Sequence, residues 1–295
     1  MPHVPVLVPV NPYESFVTEL ARLLQQGKSL PLGGFPPPEK PTLPPDAPKA
    51  LIFSPHPDDE VIIGGLALRL VRELKMNVIN VAVTQGSNKA RQRERWKELT
   101  ACCNYIGFGL IATSESGLER IHLKGRNENP AEWNRSVERI VEILTEQRPR
   151  VIFFPHDDDW NSVHIGTHHL VMEALARMVP AFACSTVETE FWGAMDTPNL
   201  MVESSERDII DLITALSFHA GEVKRNPYHI RMPAWLIDNV RRGGELVGGQ
   251  GAAAPEFLFG TLYRLGQWKQ GRLEPVLEKG RFVSKSDDLG ELFRF

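Results

Sequence analysis

Short apolar runs alternate with longer amphipathic stretches from residue 50 to residue 219. Residues 50–53, 76–83, 108–112, 151–154 and 185–191 have the length and apolar content of buried strands. Helical patterns lie between and after them: from Val61 to about Leu74, then 91–106, 130–147, 167–178 and 206–219. In 130–147 the apolar residues Trp133, Val137, Ile140, Val141 and Leu144 recur at the spacing of one helix face. Strand and helix in alternation predict an α/β fold, with a Rossmann-like, mostly parallel sheet and helices on both of its faces. Gly64-Gly65 is not part of a Gly-x-Gly-x-x-Gly fingerprint, so nothing points to a dinucleotide.

The ends of the chain read differently. Residues 1–49 form a leader ahead of a domain spanning 50–295. Within the leader, 15–24 has the pattern of a short amphipathic helix. Eight prolines then fall between residues 30 and 49, which favours an extended strap on the domain or on a neighbouring subunit, or else a disordered tail. Residues 241–251 carry five glycines and read as a Gly-rich loop, either an approach to a ligand, a lid or an ordinary connection.

Composition narrows the class. A chain of 295 residues, 42% hydrophobic, suffices for one large α/β domain with a buried core. A formal net charge of -4 argues against a broad nucleic-acid surface. Three cysteines do not make a disulfide framework, and Cys102 and Cys103 fall inside a helical pattern. The first 30 residues lack a secretory pattern, and no run of about 18 apolar residues is present to span a membrane. The expectation is therefore a cytoplasmic protein, with homo-oligomerisation left open.

The candidate chemistry sits at two strand ends. After the apolar run 50–53 comes Ser54-Pro55-His56-Pro57-Asp58-Asp59-Glu60, an imidazole and three carboxylates in five consecutive positions. The C-terminal edge of an open α/β sheet is where ligands bind. His56 and Asp59 can ligate a divalent metal such as zinc, with Asp58 left as a base. The rival reading is an acidic turn in which Asp58 or Asp59 caps the following helix. One loop supplies too few ligands, so a metal site requires a second cluster. Residues 151–154 lead into Pro155-His156-Asp157-Asp158-Asp159-Trp160-Asn161-Ser162-Val163-His164, with His168 and His169 beyond. Any of His156, His164, His168 and His169 can complete such a site.

These residues carry a resemblance. His56-Pro57-Asp58-Asp59-Glu60 matches the opening motif of the PIG-L/LmbE-like family of zinc-dependent N-acetylglucosamine deacetylases. Asp159-Trp160-Asn161-Ser162-Val163-His164 resembles the family's second motif, Asp-x-His-Pro-Asp-His. Weaker matches are Thr84-Gln85-Gly86, Arg95-Trp96-Lys97-Glu98 before Ile106-Gly107, Glu188-Thr189-Glu190-Phe191-Trp192, and Ala215-Leu216-Ser217-Phe218-His219. The resemblance implies that His56, Asp59 and His164 bind one zinc ion, with iron or cobalt as substitutes. It also implies that Asp58 is the general base and that the substrate is a small-molecule N-acetyl sugar conjugate. The Arg95 guanidinium is a candidate for its hydroxyls, or else a helix-surface residue paired with Glu98 or Asp59.

The second motif departs from the family at Asn161, where the family has a His, and at Ser162-Val163, where it has Pro-Asp. Asn161 can donate a hydrogen bond to an oxyanion but cannot carry a proton at neutral pH. Either Asp58 makes both proton transfers, or His156 or His168 contributes, or the activity is altered. Two other functions stay open: a metal-dependent amidase on another substrate, and a sugar-binding protein that keeps zinc without turnover.

Overall fold

The computed structural model of the protein describes residues 11–190 and 192–293. Its strands are β1 (Lys49–Ser54), β2 (Asn77–Ala82), β3 (Gly109–Ala112), β4 (Val151–Pro155), β5 (Cys184–Thr189), β6 (Leu200–Glu203), β7 (Gly260–Lys269), β8 (Arg272–Pro275) and β9 (Arg281–Val283). They form one sheet in the order β3-β2-β1-β4-β5-β7-β6-β9, with β8 paired on β7. From β3 to β5 all pairings are parallel. β7 then runs antiparallel to both β5 and β6, and β9 pairs parallel with β6. The expected α/β, mostly parallel architecture is present over the first five strands, and the C-terminal segment adds a mixed edge.

The reason for the strand pattern lies in its two-fold period. Ala50 and Ile52 of β1 join one apolar cluster, with residues such as Leu66, Leu99 and Leu212. Leu51 and Phe53 point to the other face and join Trp133, Val137, Leu144 and Leu170. Both faces of β1 are covered by helices, so its run is continuously apolar instead of alternating.

This topology places the site. β1 lies beside β2 on one side and β4 on the other, and strand order reverses between β1 and β4. Segments leaving the carboxyl ends of those two strands diverge and open a crevice between them. The two motif clusters leave these two strands.

Several elements differ from their sequence outlines. The helix expected from Val61 to Leu74 is two, Asp59–Ile62 and Leu66–Arg72. Gly64 breaks it with φ +85°, and a Cβ there would overlap the Thr261 side chain. The helix expected over 167–178 begins earlier and spans Ser162–Arg177, which puts His164 in its first turn. The helix over 206–219 ends at Leu216, and a second one, Ala220–Arg225, follows His219. Of the strand expected over 185–191, Phe191 lies outside the described residues.

The Gly-rich loop reading of 241–251 is corrected. Met232–Gly248 is a continuous helix that packs on β6 and β7. A Cβ on Gly243 would overlap Met201 Cε and lie 2.6 Å from Leu262 Cδ2. Its glycine serves close packing of helix on sheet, not loop flexibility.

In the leader, Pro12–Gly27 is a helix capped by Asn11, and Tyr13, Phe16, Val17 and Leu20 on it are exposed. The proline-rich stretch that follows runs along the domain. Leu32 and Phe35 pack on the core, the Gly33 N–H donates to Ser217 Oγ at 3.2 Å, and Lys40 Nζ donates to the Asn104 carbonyl at 2.5 Å. Among the described residues no helix is long and apolar enough to cross a membrane.

Candidate metal centre

β1 delivers the chain into a tight acidic turn whose geometry excludes simple capping. Asp58 stands at the N-cap position of Asp59–Ile62 with φ 114° and makes no side-chain cap bond. A non-glycine residue held there is strained and persists only where its surroundings over-determine it. Four contacts do so. The His56 N–H donates to Asp59 Oδ2 at 2.8 Å, and the Asp58 N–H donates to Glu60 Oε2 at 2.9 Å. Glu60 Oε1 is 2.7 Å from His219 Nε2, with both side chains fully buried. Arg95 Nη2 donates to the Pro57 carbonyl at 2.9 Å.

β4 delivers the second half. Asn161 caps Ser162–Arg177, its Oδ1 accepting from the Val163 N–H at 3.0 Å. One turn of helix then aims His164 back at the β1 loop. His164 Nδ1 lies 3.3 Å from Asp159 Oδ2, and its Nε2 lies 3.3 Å from Asp59 Oδ2. His56 Nδ1 is also 3.3 Å from Asp59 Oδ2. One donor atom from each of His56, Asp59 and His164 falls within 4.8 Å of the others.

The three residues fit a divalent cation. Asp59 Oδ1 and His164 Nε2 are buried yet have no hydrogen-bond partner. Buried polar atoms are rarely orphaned, and an ion shared by them would satisfy both. Two imidazoles and one carboxylate are the donor types that zinc prefers, and Asp159 supplies the outer carboxylate that fixes the His164 ring. Charge agrees with this. Burial works to raise the Asp59 carboxyl, but the His164 and His56 rings outweigh it and hold Asp59 well below the usual carboxylate range. Burial likewise opposes a charged His164, yet Asp59 and Asp159 push its pKa up to about 10. The pocket therefore stabilises positive charge.

Asp58 is the buried carboxylate beside this cluster. Burial, then the neighbouring Asp59 charge, pushes its pKa up to about 7. Its Oδ2 accepts from the Tyr228 hydroxyl, which comes from the 3-10 turn Tyr228–Ile230. Burial and the Asp58 charge raise the Tyr228 phenol, so it stays a donor.

The remaining sequence candidates separate. His156 is fully buried, with Nδ1 accepting from the Asp158 N–H at 3.2 Å and Nε2 donating to the Gly193 carbonyl at 2.9 Å. His168 Nδ1 lies 3.0 Å from the Pro155 carbonyl and 3.4 Å from Glu188 Oε2. His169 packs edge-on against His168. None of the three joins the donor cluster. Arg95 pairs with neither Asp59 nor Glu98. Its Nε is 3.8 Å from Glu222 Oε1, while Glu98 accepts from the Gly221 N–H. Arg95 lines a cleft of about 480 Å³ together with His56, Lys89, Gln92, Arg120 and His122.

A second buried group, Glu60, Cys102 and His219, also brings donor atoms within 4.8 Å of one another. Burial, then the Glu60 charge, raises the Cys102 thiol well above its usual range, and Glu60 is already paired with His219. Glu60 and His219 instead brace Asp58. Sequence reasoning missed the roles of Tyr228 and of this pair. His219 stood in a recognised motif without a role, and nothing local marks Tyr228.

Residues 51–175 match the family model described as PIG-L: GlcNAc-PI de-N-acetylase. No curated protein matches the sequence. Among solved structures, N,N'-diacetylchitobiose deacetylase from Pyrococcus horikoshii is 16% identical with a TM-score of 0.53, over 90% of this chain and 95% of that one. A zinc-inhibited form of teicoplanin deacetylase is 15% identical with a TM-score of 0.53, over 74% of this chain and 97% of that one. The 4-carboxy-2-hydroxymuconate hydratase of Pseudomonas putida KT2440 is 15% identical with a TM-score of 0.51, over 74% and 95%. At these identities the likeness concerns the fold, and a hydratase among deacetylases shows that the fold does not choose the reaction.

Proposed function

We propose, from the match of residues 51–175 to the PIG-L family model and from the geometry of the site, that the protein is a divalent-metal-dependent N-deacetylase. Its substrate would be a small-molecule conjugate bearing an N-acetylglucosamine-type unit. The observation that carries the reading is the convergence of His56, Asp59 and His164, with buried unpartnered donor atoms, beside the buried carboxylate of Asp58. Two of the similar structures are of deacetylases by their descriptions, which is consistent with it.

His56, Asp59 and His164 would hold one divalent ion, for which their donor set favours zinc. Bound there, the ion supplies Lewis acidity to carbonyl and water oxygens. Asp58 takes the proton of the attacking water. Tyr228 occupies its Oδ2 and so leaves Oδ1 as the basic oxygen. A pKa near 7 without metal, drawn down by a cation alongside, lets this carboxylate accept the proton and return it to the leaving nitrogen. Water adds to the acetamide carbon, the C–N bond breaks, and acetate and a free amine result.

Asn161 commits its carboxamide oxygen to the helix cap, and its NH2 would be the group that donates to the oxyanion. His156 has both ring nitrogens engaged and His168 turns its Nδ1 to the Pro155 carbonyl and Glu188, so both proton transfers are assigned to Asp58. Arg95, braced against the Pro57 carbonyl and lining the cleft, would bind sugar hydroxyls; its position in the cleft supports this reading.

The test is acetate release from a panel of N-acetylglucosamine conjugates by protein reconstituted with zinc, iron or cobalt. Each ion is supplied at and above one equivalent, because excess zinc can mask activity. Acetate formation with one equivalent of metal is expected. Metal-loaded protein that releases no acetate from any conjugate would leave a binding protein or another amidase in its place.

A further inference from the structure

Resting on that reading of the site, we infer that Trp160, Trp192 and Tyr228 form a stacking shelf for the ring attached next to the amide-bearing unit of the substrate. The shelf takes a flat ring face, whether the C–H face of a second pyranose or an aromatic aglycone.

The three side chains come from separate segments: the loop after β4, the loop after β5 and the 3-10 turn at 228–230. Trp160 and Trp192 meet at 6.1 Å between centroids and 65°, and Trp192 and Tyr228 at 5.8 Å and 67°. Trp160 is 70% exposed and Trp192 37%. A single exposed tryptophan needs no explanation, but Trp160 packed on Trp192, which in turn meets the tyrosine that touches the proposed base, makes a chain of aromatic rings leading out from the site. Its inner end is anchored where the Tyr228 hydroxyl donates to Asp58.

The row of rings is also held in place. The Gly193 carbonyl accepts from the buried His156 ring, and the Gly193 N–H donates to Asp159 Oδ2 at 3.2 Å. A Cβ at residue 193 would stand 2.8 Å from the Asp159 Cα, so only glycine allows the two loops to approach this closely. Asp159 is the same carboxylate that orients His164. The loop bearing Trp192 is thus tied through one side chain to the candidate metal ligand. His156, unused in the chemistry, serves to fix that loop.

None of the three aromatics lines the cleft that holds Arg95 and His56. The site therefore offers a polar cleft suited to a hydroxylated unit and, apart from it, an aromatic surface suited to a neighbouring ring. Stacking needs a flat partner, so a short alkyl aglycone gains little there.

The experiment uses the metal-loaded full chain and three β-glycosides of N-acetylglucosamine: methyl, p-nitrophenyl and N-acetylglucosaminyl. The parent should show a higher kcat/KM for one or both ring-bearing glycosides than for the methyl glycoside. Trp160→Ala and Trp192→Leu should each reduce that ratio by roughly 3- to 10-fold, the scale of an aromatic contact, and Trp160→Phe should restore most of it. A gain confined to the aryl glycoside assigns an aromatic aglycone, and one confined to the disaccharide assigns a sugar. Ratios unchanged in the variants, or no preference in the parent, overturn the shelf while deacetylation stands. Binding of the same glycosides to metal-loaded Asp58→Asn protein, followed by calorimetry, separates the two ideas. A Trp160-dependent preference for ring-bearing glycosides without acetate release from the parent would uphold the shelf and sink the deacetylase. Neither preference nor turnover would sink both.

Discussion

Asp59 is the pivot of the centre, because its Oδ2 faces the imidazoles of both His56 and His164 at 3.3 Å. In the metal-free protein that carboxylate and Asp159 keep His164 protonated up to a pKa of about 10. A cation must displace this proton, since only a neutral imidazole ligates. Metal affinity should therefore rise about tenfold per pH unit between about pH 6 and pH 9, measured by competition against a chelator of known affinity. An affinity flat over that range would remove His164 from the ligand set. Asp58 is the neighbouring residue with a different role. Asp58→Asn should keep one equivalent of metal and lower kcat by roughly 100-fold or more, the usual scale of general base catalysis. A kcat within a few-fold of the parent would take Asp58 out of the mechanism. His56, Asp58 and Asp59 are legible in the sequence because they are contiguous, and a carboxylate-rich turn after a buried strand has few uses other than a site. Tyr228 is not legible, since its partner lies 170 positions away.

Among the elements, the helix Met232–Gly248 departs furthest from its outline. Its run of glycines reads locally as a loop, because glycine lowers helix propensity by about 1 kcal/mol relative to alanine. Contact with the sheet reverses that preference: Met201 and Leu262 fill the space that a side chain on Gly243 would need. Gly243→Ala, favourable by propensity alone, should instead destabilise the protein by about 1–3 kcal/mol through overpacking. Urea denaturation reads this as a lowered midpoint, and a raised midpoint would mean that the helix is not seated this closely. The amphipathic helix Pro130–Gln147, by contrast, matches its outline residue for residue, because its apolar stripe and its burial agree.

For the whole molecule, the centre is a clamp between distant parts of the chain. It joins the loop after β1 to the first turn of the helix after β4, across the point where strand order reverses. An ion bound there binds the folded state and not the unfolded one. At a hundredfold excess over its dissociation constant it should stabilise the fold by about 2.7 kcal/mol, raising Tm on the order of 5 °C. Thermal unfolding with metal and with chelator checks this. His56→Ala should lose both the bound equivalent and the shift, and a variant that keeps both would show that the clamp is built from other residues.

What the sequence determined by itself is local in origin. Period-two and period-3.6 apolar patterns specify which segments become strands and helices, and the short spacing of His56, Asp58 and Asp59 supplies half of the candidate metal site. The family resemblance extends this to His164. The tertiary structure decided which of four histidines in or beyond the second cluster turns toward Asp59. That choice depends on the Asn161 cap, which starts the helix early enough to place His164 on its first turn. It also decided the bracing of Asp58 by Glu60, His219 and Tyr228, and the meeting of Trp160 with Trp192. These contacts join residues far apart in the chain, and their energies depend on burial and distance in the folded state, which no local pattern encodes.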